Sequence, residues 1–293
     1  MIVEFIDAHR QEFGVEPICA VLQIAPSTYY TTKTRPLSAR AVRDVAMTTI
    51  MLSVFAANYS VYGARKLTKA MRRAGHQIGR DQTARLMRQA GIRGVRRGRR
   101  VVTTRPDPGA ARSPDLVKRV FTADRPNALW VLDLTYVSTW QGMGYVCFIV
   151  DVFSRMIVGW QVAGHMRTDM VLTAVEMARW RRGTRIDGLI VHSDAGSQFT
   201  SIRFTDRVDE IGARPSIGTV ADSYDNALAE TVNGLYKTEL IWPHGPWKTI
   251  DELELATCAW VHWFNTARLH GFCGDIPPVE FETLWHTAQP AAA

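Results

Sequence analysis

The 293-residue sequence predicts an α/β protein, and three observations carry the prediction. Three apolar runs, 129–138, 144–152 and 155–163, follow one another across connections short enough for antiparallel hairpins. From 168 to 240, helical and extended patterns then alternate. Ahead of this block, residues 1–105 read as helical and, in their second half, strongly basic.

Ile2, Phe5 and Ile6 recur at helical spacing, and 15–25 supplies Ile18, Val21, Leu22 and Ile24 before a break at Pro26-Ser27. A longer helix over 40–57 carries Val42, Val45, Ala46, Met47, Ile50 and Val54. A helix over 63–73, a turn at Ala74-Gly75-His76 and a second helix over 80–89 follow. Leu86 and Met87 point inward and Gly91 closes the second helix as a C-cap. Two short arginine-rich helices across a glycine turn suit a helix-turn-helix whose second helix reads a DNA groove through Arg80, Gln82, Thr83 and Arg85. An ordinary helical hairpin with a basic surface is the alternative. Arg93, Arg96, Arg97, Arg99 and Arg100 form a glycine-interrupted arm suited to phosphate contact. Proline and glycine mark 101–115 as linker.

Beyond the three strands, helices are expected over 168–181, 201–212 and 225–240, and strands over 187–193 and 214–217. A three-strand meander followed by αβαβα matches an RNase H-like fold. The helix over 249–264 buries Leu253, Trp260 and Phe264, which suits core packing better than base stacking. The tail from Thr287 reads as disordered. The boundaries drawn are 1–58 for the N-terminal helical region and 59–100 for the helix-turn-helix-like basic segment. The linker covers 101–118, the catalytic core 119–240 and a small helical C-terminal segment 241–293.

The chain carries +7 overall, but 60–105 holds 14 Lys and Arg against the single acid Asp81, so this stretch is +13 and the rest is −6. Such a run lacks the acids for i,i+4 pairing, and polyphosphate is its natural partner. No apolar stretch reaches the ~18 residues that span a bilayer, so no membrane partner is expected. The start lacks a signal peptide's pattern. Cys19, Cys147, Cys258 and Cys273 are scattered without a CxxC pair, which argues against zinc and disulfides and fits a reducing cytoplasm.

Three acids stand in contexts foreign to a solvated surface. Asp133 lies inside an apolar strand, Asp194 ends one, and Glu230 sits in a helical stretch with 35 residues between it and Asp194. Buried carboxylates need partners, and three without a Cys or His cluster suit Mg²⁺ or Mn²⁺. Asn226, Glu230, Asn233 and Lys237 follow i, i+4, i+7, i+11 and share one helix face, with Leu228, Val232, Leu235 and Tyr236 opposite. His192 and Gln198 flank Asp194; each suits either a phosphate-steering or a hydrogen-bonded structural role. Asp151 is also a carboxylate in an apolar run, supporting the site or pairing with Arg155. Asp222 and Asp225 suit the start of the Glu230 helix.

The stretches Trp130-Val-Leu-Asp133-Leu-Thr-Tyr, His192-Ser-Asp194-Ala-Gly-Ser-Gln-Phe and Ser223-Tyr-Asp-Asn-Ala-Leu-Ala-Glu230 resemble the DDE transposases of bacterial insertion sequences. The likeness is to the second-reading-frame type with a retroviral-integrase-like core. Tyr59-Ser-Val-Tyr-Gly-Ala-Arg resembles the start of that group's helix-turn-helix. Trp263-Phe-Asn-Thr-Ala-Arg268-Leu-His270 with Pro277-Pro-Val-Glu resembles its C-terminal signature. The resemblance implies cleavage at element ends and strand transfer into target DNA. It implies Asp133, Asp194 and Glu230 as catalytic metal ligands for two ions and Lys237 as the holder of an end phosphate. Double-stranded DNA, further copies of the chain in a synaptic complex and an upstream-frame companion are the implied partners, in a bacterial, nucleoid-associated setting. The sequence shows no heptad run, so the downstream product alone is expected. The rival expectations are an RNase H-like nuclease that only hydrolyses and a DNA-binding regulator with an inactive core.

Overall fold

The computed structural model describes residues 2–96, 116–117, 121–183, 185–194, 198–199, 201–217 and 227–289. It divides into two units, Met1–Ile50 and Met51–Ala293.

The first unit holds α1 (Ile2–Phe13), α2 (Val15–Val21), α3 (Pro26–Thr34) and the start of α4 (Ala39–Ala57). Gly14, at φ 79°, turns the chain between α1 and α2. Ile6, Ile18, Cys19 and Tyr29 form a small core. The Tyr29 hydroxyl donates to Asp7 Oδ1 at 2.8 Å. The expected break at Pro26 is instead the first residue of α3. Proline there loses no helical hydrogen bond and arrives with its φ already helical.

In the second unit, α5 (Ala64–Arg73) and α6 (Arg80–Gln89) pack through Leu67, Met71, Leu86 and Met87. Gly75 and Gly91, at φ 87° and 68°, follow the two helix ends as expected. The sheet comprises β1 (Leu129–Thr139), β2 (Gly142–Asp151), β3 (Ile157–Ala163), β4 (Ile190–Ser193) and β5 (Arg214–Ile217) in the order β3-β2-β1-β4-β5. The first three are antiparallel, while β4 runs parallel to β1 and β5 to β4. With α7 (Thr168–Arg182), α8 (Ile202–Glu210) and α9 (Ala227–Tyr236), this is the RNase H-like arrangement read from the sequence.

One sheet face is sealed by α7 through Trp130, Leu132, Ile149, Val171 and Ala174. Gly159 makes that seal close, because a Cβ there would lie 2.2 Å from the Ala174 carbonyl oxygen. On the other face Phe148 meets Tyr236 at 5.0 Å and Trp260 at 5.8 Å, ring centre to ring centre. Trp260 and Phe264 of the C-terminal segment are therefore core residues. After α9 the chain widens into a π-helical turn, Lys237–Ile241, and runs on through α10 (Trp242–His244), α11 (Ile250–Thr266) and α12 (Pro278–Ala288). The sequence reading missed α12 and set Thr287 in a disordered tail. Pro278 starts this helix, and Phe281 and Trp285 pack against Phe153. None of the described helices is long and apolar enough to cross a membrane.

The helix-turn-helix is tied to the C-terminal segment. Trp263 Nε1 donates to Asn58 Oδ1 at 3.3 Å, and Leu269 N to the Tyr62 hydroxyl at 2.7 Å. Lys69 pairs with Asp275 and Arg73 with Glu280. Buried Arg268 then grips Glu239 in the π-helical turn, with Nη2 to Oε1 at 2.6 Å and Nε to Oε2 at 2.9 Å. The residues of the expected C-terminal signature thus bridge the basic helices and the element carrying Glu230.

Candidate active site

The sheet register sets Asp133 and Asp194 side by side. Val131 pairs with His192 in the parallel β1–β4 ladder, and the two aspartates stand two residues further along each chain. Asp194 follows directly on the last residue of β4, so a continuation of that register would put both on one face. On that face α9 packs against β1 and β2 and brings Glu230 in its first turn.

Asp133 is half-buried. Its Oδ1 accepts from its neighbour Leu134 N at 2.8 Å, and its Oδ2 accepts from Asn233 Nδ2 at 3.0 Å. Burial pushes its carboxyl up to about 8, and the charge of Asp194 adds to the rise. The Leu134 N–H opposes it, Glu230 raises it further and Asn233 lowers it. Asp194 and Glu230, from two other parts of the chain, thus both act electrostatically on Asp133. Among the described residues no three acids, histidines or cysteines stand close enough to enclose an ion ready-made. Like charges repel, and drawing carboxylates together unaided costs free energy.

The helix face differs from the one predicted. Ala229, Val232, Asn233 and Tyr236 form the buried stripe, and Leu228 and Leu235 lie at its margins. Asn233, expected at the DNA, is 8% exposed and spends its amide on Asp133. Three residues from Glu230, it falls between the two predicted faces and turns inward with Val232. Its Oδ1 meets no donor among the described residues. Lys237 opens the π-helical turn, half-buried, with Nζ 4.7 Å from the ring centre of Tyr136. Burial lowers its ammonium, and Asp133 partly offsets that.

His192 is buried, with Nδ1 2.9 Å from Ser216 Oγ on β5 and its ring edge-on to Phe121. These contacts are of the hydrogen-bonded structural kind. Gln198 gives its amide to the Met166 carbonyl at 3.2 Å. Asp151 is fully buried and lies 3.7 Å from Arg182, replacing the expected Arg155 partner. The Arg155 guanidinium instead stacks on Phe272 at 3.8 Å.

On α6, Arg80 is exposed, and Gln82 and Arg85 are partly so. Thr83 is a correction. It is fully buried, with Thr68 Oγ1 donating to it at 3.0 Å, and it glues α5 to α6 where no groove could reach it. Arg96 is exposed. Asn226, Arg97, Arg99, Arg100, Asp222 and Asp225 lie outside the described residues. Two contributors escaped the sequence reading: Asn233 as a partner of Asp133, and Tyr136. The adjacency of Tyr136 to Lys237 depends on tertiary packing and leaves no local signal.

Residues 123–223 match a family model described as integrase core domain, as do 211–278, and residues 43–100 match one described as HTH-like domain. A putative transposase for insertion sequence element IS986/IS6110 from Mycobacterium tuberculosis is 50% identical over 277 residues, spanning 92% of this chain and 100% of the relative. The transposase for IS629 from Shigella sonnei is 44% identical over 98% of this chain and 97% of its own length. Transposase InsF for IS3A from Escherichia coli is 30% identical over 95% and 97%. With its carboxylates set on an integrase-type sheet and these relatives aligned along nearly its whole length, the chain belongs to the insertion-sequence transposases with a DDE integrase core.

Proposed function

We propose that this transposase cuts DNA at the ends of its insertion sequence and joins the freed ends to target DNA, with Asp133, Asp194 and Glu230 as the catalytic carboxylates. The observation that carries the reading is the placement of Asp133 on β1, held by Asn233 of α9 at 3.0 Å, within electrostatic reach of Asp194 just past β4 and Glu230 on α9. An integrase-type core implies dependence on a divalent metal. Three carboxylates that resist sharing negative charge fit a hard dication, Mg²⁺ or Mn²⁺. Asp133 on β1 and Asp194 just past the end of β4 would hold one ion, and Glu230 would help to hold a second. Such a pair, about 3.5–4 Å apart, supplies Lewis acidity to the attacking and leaving oxygens of an in-line phosphodiester displacement.

The protein's own part is positioning. Leu134 N and Asn233 fix the two oxygens of Asp133. Lys237 offers an ammonium for an end phosphate. Arg80, Gln82 and Arg85 on α6 face the element's terminal repeat, and Arg96, Arg97, Arg99 and Arg100 follow its phosphate backbone. Two ends must be cut and joined together, so several copies of the chain act in one complex on end and target DNA. Localisation follows that substrate, the bacterial chromosome and its cytoplasm. An upstream-frame companion belongs to the reading as a partner carried by the resemblance alone.

The test is a strand-joining assay with end duplexes in Mg²⁺ and Mn²⁺. Asp133→Asn, Asp194→Asn and Glu230→Gln should each abolish cleavage and joining while DNA affinity persists. An active Asp194→Asn protein in Mg²⁺ would overturn the assignment. Cleavage without joining would favour the hydrolytic nuclease. Replacing Arg96, Arg97, Arg99 and Arg100 by Ala should flatten the salt dependence of binding, by roughly 0.9 in log–log slope per lost phosphate contact. An unchanged slope would leave the arm as solvated surface.

A further inference from the structure

Tyr136 follows Asp133 by three residues on β1, where the ladder is one-sided. β2 pairs with the strand through Thr139, whereas β4 pairs only with Leu129 to Val131. Among the described residues no strand pairs with that edge beyond Val131; only an isolated bridge from Thr139 to Trp247 closes its far end, and Tyr136 is 48% exposed in the interval. Tyr136 leaves the sheet face opposite Asp133, yet its ring is met by a side chain from α9's side. Lys237, the first residue of the π-helical turn, sets Nζ 4.7 Å from the ring centre. That lies within the ~6 Å at which a ring's quadrupole attracts an ammonium. Insertion of a π-helical turn re-aims the side chains that follow it.

A lysine ammonium is a hydrated point charge on a flexible stem, costly to hold in one place. A carboxylate partner would fix it but also neutralise it and compete with any phosphate. Among the described residues no carboxylate forms an ion pair with Lys237. An aromatic face fixes the ammonium and leaves its charge and its donors facing away from the ring free for an anion. We propose that Tyr136 is the positioning residue for Lys237, its ring holding the ammonium at the mouth of the carboxylate cleft to receive the end phosphate. This rests on the reading of Lys237 as a phosphate contact.

The experiment compares joining of element-end duplexes and nicking of unrelated DNA for Tyr136→Phe, Tyr136→Leu, Tyr136→Gln, Lys237→Ala and the Tyr136→Leu/Lys237→Ala pair, with thermal midpoints as the folding control. The ring is the operative group, so Tyr136→Phe should join ends within about twofold of the wild type. Tyr136→Leu and Tyr136→Gln should lower end joining about 2- to 30-fold, the scale of a lost cation–π contact, and nicking less. Because Tyr136 acts through Lys237, the double variant should be no worse than Lys237→Ala alone. Using two ring-deleted variants guards against one that folds poorly. Full joining by both, a Phe variant as weak as the Leu one, or a fully additive double variant would each overturn the proposal. If Lys237→Ala itself joined ends normally, the phosphate reading of Lys237 would fall, a separate failure from that of Tyr136.

Discussion

Asp133 and Asp151 sit on opposite faces of one antiparallel ladder. Asp151 pairs with Trp130 and faces α7; Asp133, three rungs away, faces α9. Each interrupts an apolar strand, and each accepts two hydrogen bonds. Asp151 takes backbone N–H groups from Asn127 at 2.8 Å and Phe153 at 2.9 Å. They part in the sign of their neighbours. Asp151 is answered by Arg182, which also forks onto Glu282 with two 2.5 Å hydrogen bonds. Asp133 faces Asp194 and Glu230. Burial raises both carboxyls, Asp151 to about 6 and Asp133 to about 8, because a cation restrains the first and like charges compound the second. Burial alone therefore does not separate the proposed catalytic acid from Asp151; the sign of the neighbouring charges does.

Removing the charge at each place should give opposite results. Asp133→Asn should cost at least about 10³-fold in joining, more than 4 kcal/mol of barrier, with the thermal midpoint held or raised. At Asp151 the amide turns an N–H toward a backbone donor and strands Arg182, so Asp151→Asn should lose ~1–3 kcal/mol of stability. Any drop in its activity should track the unfolded fraction. Arg182→Met, which leaves Asp151 and Glu282 buried together, should cost ~3–5 kcal/mol. Urea denaturation alongside joining assays reads all three. A catalytically dead but fully stable Asp151→Asn protein would erase the distinction.

A smaller effect should come from the neutral donor that Asp133 has in place of an arginine. Asn233→Leu keeps much of the volume and removes the amide at 3.0 Å from Oδ2. Groups that orient a metal-binding carboxylate commonly matter by about 10- to 100-fold in metal affinity or rate. The Mg²⁺ concentration giving half-maximal joining should rise in that range while DNA affinity holds. An unchanged Mg²⁺ requirement would return Asn233 to packing alone.

These contrasts also show where the sequence was legible. The meander and the αβαβα succession were readable, because strand and helix periods leave local signals, and the three acids proposed for the site stood out by their apolar or helical contexts. α12 was hidden because Pro277-Pro278 reads as loop, although a proline also starts helices well. Asn233 and Thr83 were misplaced for a common reason. Each is polar and falls at the seam between helix faces, and only the neighbouring element decides which way a seam residue turns. Asp151 was recognised as a rival to the catalytic acids. Its partner Arg182, however, is 31 positions away in sequence and comes into reach only through the packing of α7 on the sheet.

The finest separation of the two acids is by pH. A carboxyl whose folded value is raised contributes stability that is intact below its unfolded value, near 3.8, and is lost as pH climbs through the folded value. For Asp151 that loss ends by about pH 6, and for Asp133 it continues to about pH 8. In chelator, the wild type should therefore keep losing stability between pH 6 and 8. Asp133→Asn should flatten that limb, and Asp151→Asn should leave it in place. Mg²⁺ competes with the proton for Asp133, so it should raise the melting midpoint more at pH 8 than at pH 6. The difference is small, about 2–4 °C for each ~1 kcal/mol in a chain of this size. Melting curves of the three proteins from pH 5 to 9, with and without Mg²⁺, resolve it. Parallel wild-type and Asp133→Asn curves between pH 6 and 8 would show that Asp194 and Glu230 exert no hold on Asp133. The contrast between an acid among acids and an acid beside an arginine would then lose its physical basis.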